Sequence, residues 1–237
     1  MFISKELLTV SAARFDVELT DAQIDKFDAY AKMLVEYNEK VNLTAITEPD
    51  DIVIKHFADS LAVKKYSPCE LKGSLADVGT GAGFPGMPLL ITSPELNVTF
   101  FDAVNKKLDF IRYVVSELGL SASVIHSRAE DAGKKPEYRE KFDFATARAV
   151  AQLRILSEFC LPLVKVGGHF ISMKGSISEE EKTFGISAFG KVGAELYDDI
   201  FYSIQNGDER NIIIAKKISQ ISPKYPRNMG QISKKPL

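Results

Sequence analysis

From Ser74 onward the chain alternates short β-type runs with helix-length stretches, and that alternation leaves few architectures open. The runs are SLADV (Ser74 to Val78), NVTFFD (Asn97 to Asp102), ASVIH (Ala122 to His126), FDFATA (Phe142 to Ala147) and HFISMK (His169 to Lys174). Between them lie segments such as NKKLDFIRYVVSEL, beginning at Asn105. Strand and helix in this order predict a parallel sheet covered by helices on both faces. Two further strand-like runs, AELYDDIFYS and ERNIIIAKKI, flank Gln205, Asn206 and Gly207. Asn-Gly between strands is a hairpin signal, so the sheet is expected to end in an antiparallel hairpin. Residues 1–70 read as helical instead. Thr20 and Gln23 form a capping-box pattern, and Ile24, Phe27, Ala31, Leu34 and Val35 recur at helical spacing. A further helix is expected after Thr47, from Pro49 and Asp50, carrying Ile52, His56, Phe57 and Leu61. The expected organisation is a helical cap over residues 1–70 on an α/β domain over residues 71–237.

The first strand runs into DVGTGAGFPG, from Asp77 to Gly86. Gly79, Gly81 and Gly83 let the backbone approach a ligand closely, and the helix that follows presents free N–H groups. Pro85 is tolerated there because the first turn has no use for its missing N–H. The spacing has two readings. Gly81, Gly83 and Gly86 satisfy G-x-G-x-x-G, the dinucleotide fingerprint, in which a pyrophosphate sits at the helix start. Alternatively the turn receives the methionyl and ribose parts of S-adenosylmethionine. An acid directly before the first glycine favours the second reading, since Asp77 would repel a pyrophosphate and attract the methionyl ammonium. A mostly parallel sheet ending in an antiparallel hairpin is also the arrangement of the Rossmann-like S-adenosylmethionine-dependent methyltransferase fold, whereas the nicotinamide-binding sheet is all parallel. Asp102, ending the second strand, can accept hydrogen bonds from ribose hydroxyls and serves either cofactor.

Other chemistries find little support. His56, Asp59 and Ser60 stand at i, i+3 and i+4 on one helix face. One face supplies neither a nucleophile on a turn nor an oxyanion hole, so a bordering polar patch is the better reading than a hydrolase triad. Three histidines, at 56, 126 and 169, have no metal-ligand spacing, and no metal is expected. Cys69 and Cys160 lie far apart, which fits a reducing, cytoplasmic setting rather than a disulfide framework. Pro68-Cys69 resembles the nucleophile pair of cytosine-C5 methyltransferases but precedes the glycine turn, on the wrong side of the site. After the fourth strand the chain reads ATARAVA, not the Asn/Asp-Pro-Pro-Tyr used for adenine N6. Arg148 is the conspicuous group there, able to clamp a cofactor carboxylate or a substrate phosphate. The absence of an evident base or nucleophile suits a guanine N7 acceptor, whose in-plane lone pair attacks without a proton having to leave. Net charge is −2, yet seven of the 30 basic residues and none of the 32 acidic ones lie between Arg210 and Leu237. That asymmetry reads as a polyanion contact or as a solvated tail. No apolar stretch has the length of a membrane span.

With those residues in view, the chain resembles the bacterial family of 16S rRNA guanine-N7 methyltransferases, also called glucose-inhibited division protein B. The shared series runs from YNEKVNLTAIT (Tyr37 to Thr47) and HFADSL (His56 to Leu61) through DVGTGAGFPGMPL, FFDAVNKKLDFI, SRAED (Ser127 to Asp131), FDFATARAVA and MKG (Met173 to Gly175). It closes with KYPRNMG (Lys224 to Gly230) and KKPL. Thr80 and Ala147 stand where serine is common. The resemblance implies methylation of N7 of a guanine in the 530 loop of 16S rRNA, by a cytoplasmic monomer acting on the 30S subunit or an assembly intermediate. It implies S-adenosylmethionine as cofactor, with S-adenosylhomocysteine as product. By position it assigns Gly79, Phe84, Ala129, Glu130 and Arg148 to the cofactor site, beside Gly81, Gly83 and Asp102 from the turn and second strand. Arg148 is the one possible catalytic group. Lys174, Lys224 and Arg227 become candidate phosphate contacts. A nicotinamide oxidoreductase and a non-catalytic RNA-binding protein stand as the rival readings.

Overall fold

A computed structural model describes residues 1–237. Seven strands form one sheet: β1 (Gly73–Val78), β2 (Leu96–Asp102), β3 (Ser123–His126), β4 (Phe142–Arg148), β5 (Val164–Lys174), β6 (Ala194–Ser203) and β7 (Glu209–Lys217). The order across the sheet is β3-β2-β1-β4-β5-β7-β6. Strands β1 to β5 pair in parallel, while β7 is antiparallel to both β5 and β6. The expected hairpin is therefore β6–β7, with the later strand inserted next to β5. Because β7 runs backwards, its first residues stand at the carboxyl edge of the parallel strands: Asn211 pairs with Lys174, the last residue of β5. That edge, where the chain order reverses between β1 and β4, is where open α/β sheets form ligand crevices.

Two apolar cores cover the two faces. One joins the sheet to α1 (Lys5–Ala13), α2 (Asp21–Asn38), α4 (Asp59–Tyr66), α5 (Gly86–Thr92) and α6 (Asn105–Glu117). The other lies beneath α8 (Leu153–Cys160), α9 (Glu179–Lys191) and α10 (Met229–Lys234). Helix α2 begins with the expected reciprocal capping box of Thr20 and Gln23. Its buried face carries Ile24, Phe27, Tyr30, Ala31 and Leu34, with Val35 only partly buried. Tyr30 packs among Phe57, Phe84 and Phe110, with ring centroids 5.4, 5.5 and 6.2 Å away. Its hydroxyl donates to the Ala82 carbonyl at 2.5 Å. Such aromatic pairs contribute about 0.5–1.5 kcal/mol each beyond area burial, and here they fasten the N-terminal helices to the glycine turn. No helix is long and apolar enough to cross a membrane.

The stretch expected to be one helix after Thr47 is three segments in continuous succession. A turn of α-helix, α3 (Pro49–Asp51), passes into a π-helical segment, Ile52–Ala58, and then into α4. A π segment widens the helix and re-aims its side chains, and such segments concentrate at functional sites. Lys55, His56 and Asp59 are brought by it to the crevice.

Candidate functional site

A cavity of about 770 Å³ opens over the carboxyl edge of the sheet, within the range of small-molecule sites. Its walls come from the glycine turn, the tips of β2, β4 and β5, the short helix α7 (Ala129–Ala132), the π segment and the start of β7.

The glycine turn hooks onto β2, with the Gly79 and Thr80 amides both donating to the Phe101 carbonyl at 2.9 and 3.1 Å. Gly79 has φ +66°, and a Cβ there would lie 2.8 Å from Val150. Gly81 faces open space and lines the cavity. Gly83 does not line it: at φ +105° it turns inward, where a Cβ would meet the Tyr30 hydroxyl at 2.8 Å. Its glycine is required by packing against α2, which corrects the expectation that it faces a ligand.

Asp77 also departs from expectation. Its carboxylate is fully buried below the turn. One oxygen accepts from the Thr80 hydroxyl at 2.6 Å and the Gly86 amide at 3.1 Å, and the other from the Thr146 hydroxyl at 3.2 Å. Burial raises its pKa to about 6 against the pull of those hydrogen bonds. Asp77 braces the turn onto β4 and α5, so its charge is not presented to a ligand and the ammonium argument built on it falls. The acid before the glycines is still needed, but by the protein.

Asp102 stands where the second strand was expected to place it. One oxygen accepts from the Gly81 amide at 3.0 Å and the other from the Val104 amide at 2.8 Å. Each carboxylate oxygen has two lone-pair sites, so acceptor capacity remains on the cavity side. Ala129 and Glu130 line the same end. Glu130 is buried, yet its side chain makes no hydrogen bond or ion pair within the chain.

At the other end, Arg148 leaves β4 and is followed by Ala149 at φ +56°, a left-handed conformation that non-glycine residues adopt where structure imposes it. The Arg148 guanidinium lies 4.7 Å from the centroid of Phe84, within cation–π range. It donates to the Lys55 carbonyl (3.3 Å), to Asp59 Oδ2 (3.3 Å) and to His56 Nδ1 (3.2 Å). The His56 ring stacks on Phe84 beside the guanidinium, 4.3 Å between centroids, and its Nε2 lies 2.9 Å from the Thr44 hydroxyl. Burial and the Arg148 charge lower the His56 pKa to about 3. With Nδ1 accepting from Arg148, the network assigns the ring proton to Nε2. His56 is thus neutral and fully engaged, and cannot act as a general base. Ser60 donates its hydroxyl to the His56 carbonyl at 2.6 Å. The His56–Asp59–Ser60 patch expected from spacing exists, and its role is to seat Arg148.

The basic C-terminal run does not form one anion-binding face, because Lys217 and Arg227 are consumed internally. Lys217 is buried against Glu140 (3.1 Å) and donates to the Leu161 carbonyl. Arg227 clamps the fully buried Glu158 through Nε and Nη2, down to 2.7 Å, and donates to the Lys235 carbonyl. Those bonds occupy the fork that a phosphate would need, so Arg227 is a fastener of the terminal segment rather than the phosphate contact expected. Lys174 lines the cavity but is tethered to Glu181 (2.8 Å) and the Ala151 carbonyl (2.7 Å). Lys224 is exposed over the Tyr225 ring, outside the cavity wall. The cavity wall includes four cations that sequence reasoning had not singled out: Lys55, Lys107, Arg128 and Arg210. Lys107 and Arg128 lie within the quoted FFDAVNKKLDFI and SRAED runs, but nothing in spacing alone marked them.

Comparisons with known proteins bear on the family and the fold. A family model described as rRNA small subunit methyltransferase G matches residues 23–195. Relatives bearing the name ribosomal RNA small subunit methyltransferase G include one from Desulfitobacterium hafniense, 46% identical over 98% of each chain. Another, from Leuconostoc mesenteroides, is 46% identical over 93% of this chain and 94% of its own. Among solved structures, the 16S rRNA (adenine(1408)-N(1))-methyltransferase from Catenulisporales acidiphilia superposes with TM-score 0.53 at 15% identity, over 65% of this chain and 87% of its own. The YcgJ protein from Bacillus subtilis gives 0.54 at 14% identity, over 69% of this chain and all of its own. At such identities the structural likeness speaks for the fold alone.

Proposed function

The chain belongs to the rRNA small subunit methyltransferase G family, and from that premise we propose that it transfers the methyl group of S-adenosylmethionine to N7 of a guanine in the 530 loop of 16S rRNA. The observation that carries this reading is the single cavity whose two ends differ in chemistry. One end offers an open glycine backbone, an acceptor at Asp102 and an unengaged Glu130; the other is walled by cations and aromatic rings. The cofactor's hydroxyls and amino group fit the first end. Gly79 and Gly81 leave room for its backbone approach, Asp102 would accept from the ribose, and Ala129 and Glu130 would border the adenine. Gly83 and Asp77 support that surface from below.

When bound, S-adenosylmethionine supplies an electrophilic methyl on a sulfonium centre. The protein's own work is positioning. Phe84, with His56 and Arg148 side by side against its ring, gives a rigid wall at the junction of the two ends. His56 takes up no proton at neutral pH, consistent with an acceptor that loses none. Alignment and exclusion of water then account for the acceleration asked of the site. The target guanine has to be unstacked to enter. The reading includes a monomeric enzyme acting in the cytoplasm on the 30S subunit or an assembly intermediate. The test is transfer of labelled methyl from S-adenosylmethionine to naked 16S rRNA and to 30S subunits. Label in RNA supports the reading; label on small molecules alone, or preferential binding of NAD over S-adenosylhomocysteine, sinks it.

A further inference from the structure

Asp59 holds two guanidiniums of the cavity wall, Arg148 and Arg210, and Arg210 is the less committed of the two. It begins β7, where the reversed strand direction delivers it to the carboxyl edge, and its side chain is only 18% exposed. A guanidinium carries five N–H donors. In Arg210 only Nη1 is engaged in a hydrogen bond, to the neighbouring Glu209 carbonyl at 2.9 Å. Nε lies 3.4 Å from Asp59 Oδ1 and Nη2 lies 3.6 Å from Asp208 Oδ2, so its charge is compensated while its fork is not filled. Arg139 and Arg227 are very different. Arg139 donates to the carbonyls of Gly133, Ile221, Ser222 and Tyr225, and Arg227 to both oxygens of Glu158.

Asp59 holds the arrangement. It is nearly buried, with Oδ1 accepting from the Tyr202 hydroxyl at 2.8 Å and Oδ2 from Arg148 at 3.3 Å. One carboxylate, itself fixed by a buried tyrosine, thus orients two arginines along one wall. Arg210 is three strand positions from β1 in the sheet order, about 14 Å at the usual spacing between strands. That distance puts it beyond the Gly79–Asp102 end and on the acceptor side.

We propose that Arg210, oriented by Asp59, binds a backbone phosphate of the RNA acceptor beside the target nucleotide. The assignment rests on the RNA methyltransferase reading above. A phosphodiester is the planar-fork partner that a guanidinium with free donors on a half-wet wall takes up best. Asp59 is the positioning residue, lying against Nε while Nη2 makes no hydrogen bond within the chain.

The experiment measures binding of 30S subunits, across a salt series, to wild type, Arg210→Gln and Arg210→Lys, with S-adenosylhomocysteine affinity measured alongside. Arg210→Gln is expected to weaken RNA binding roughly 10-fold or more. It should also flatten the slope of log affinity against log salt by about 0.7–0.9, one phosphate's worth of released counterion. Arg210→Lys should keep the slope and recover part of the affinity. Cofactor affinity should stay at the wild-type value in both. An unchanged salt slope in Arg210→Gln overturns the proposal even if affinity falls, because that is the mark of a structural role. A loss of S-adenosylhomocysteine affinity overturns it in favour of a cofactor ligand. If wild type itself neither binds nor methylates RNA, the underlying reading fails instead, and that control separates the two.

Discussion

Acidification should destabilise the fold through His56. In the fold His56 Nδ1 accepts from Arg148 at 3.2 Å, and Nε2 meets the Thr44 hydroxyl at 2.9 Å. A second proton would have to enter at Nδ1, placing imidazolium N–H against guanidinium N–H, like charge against like charge in a buried site. The folded pKa is accordingly lowered to about 3 from 6.5. The unfolded chain therefore binds more protons than the folded one between those values. This contribution to stability is complete above the unfolded pKa and is lost as pH falls from about 6.5 toward 3. At about pH 5 the loss is roughly 2 kcal/mol, from 1.36 kcal/mol per unit over the interval below 6.5. For a chain of this size that corresponds to about 4–8 °C in Tm. Urea denaturation of wild type and His56→Gln at several values between about pH 7.5 and pH 5 isolates the term, since the carboxylates common to both cancel in the difference. The stability advantage of wild type over the variant should shrink by ~2 kcal/mol across the series. A constant difference, or a His56 resonance titrating near 6.5, would refute the reasoning.

Two further outcomes follow from single contacts. Asp102→Ala removes the acceptor that holds the Gly81 and Val104 amides and faces the cavity; S-adenosylhomocysteine affinity by calorimetry should fall roughly 10-fold or more, and unchanged affinity removes Asp102 from the ribose role. Arg227→Ala strands the fully buried Glu158 carboxylate, so stability should fall by about 3 kcal/mol and Tm by on the order of 10 °C. The salt slope of RNA binding should stay as in wild type, and a flattened slope with an unchanged Tm would restore Arg227 as a phosphate contact.

The strands and the hairpin were legible because apolar β-type runs, turn glycines and Asn-Gly are local signals, and six of the seven strands begin and end within one residue of the expected run. The main exception is β5, which begins at Val164, five residues before the expected His169. The additional residues include Gly167 and Gly168, and glycine weakens a strand signal. The π segment was not legible, because a shift of hydrogen-bond register leaves no residue signature; His56, Asp59 and Ser60 were grouped correctly on an α-helical spacing that the backbone does not have. Charge was visible, but its compensation was not. Seven basic residues within 28 look like one interface, yet Glu140 and Glu158, distant in sequence, take up Lys217 and Arg227. The same blindness affected Asp77, whose partners Thr146 and Gly86 arrive only with the fold. Asp102 and Gly81 stand at the crevice, where strand end and turn alone place them.

The central claim concerns an atom: guanine N7, reached without a base. Digestion of 16S rRNA after reaction in 30S subunits, with mass spectrometry of the nucleosides and mapping of the labelled fragment, reads that atom directly. The account predicts N7-methylguanosine within the 530-loop fragment and no other methylated base. Methyl on an exocyclic amine, on adenine or cytosine, or on a guanine outside that loop would contradict it.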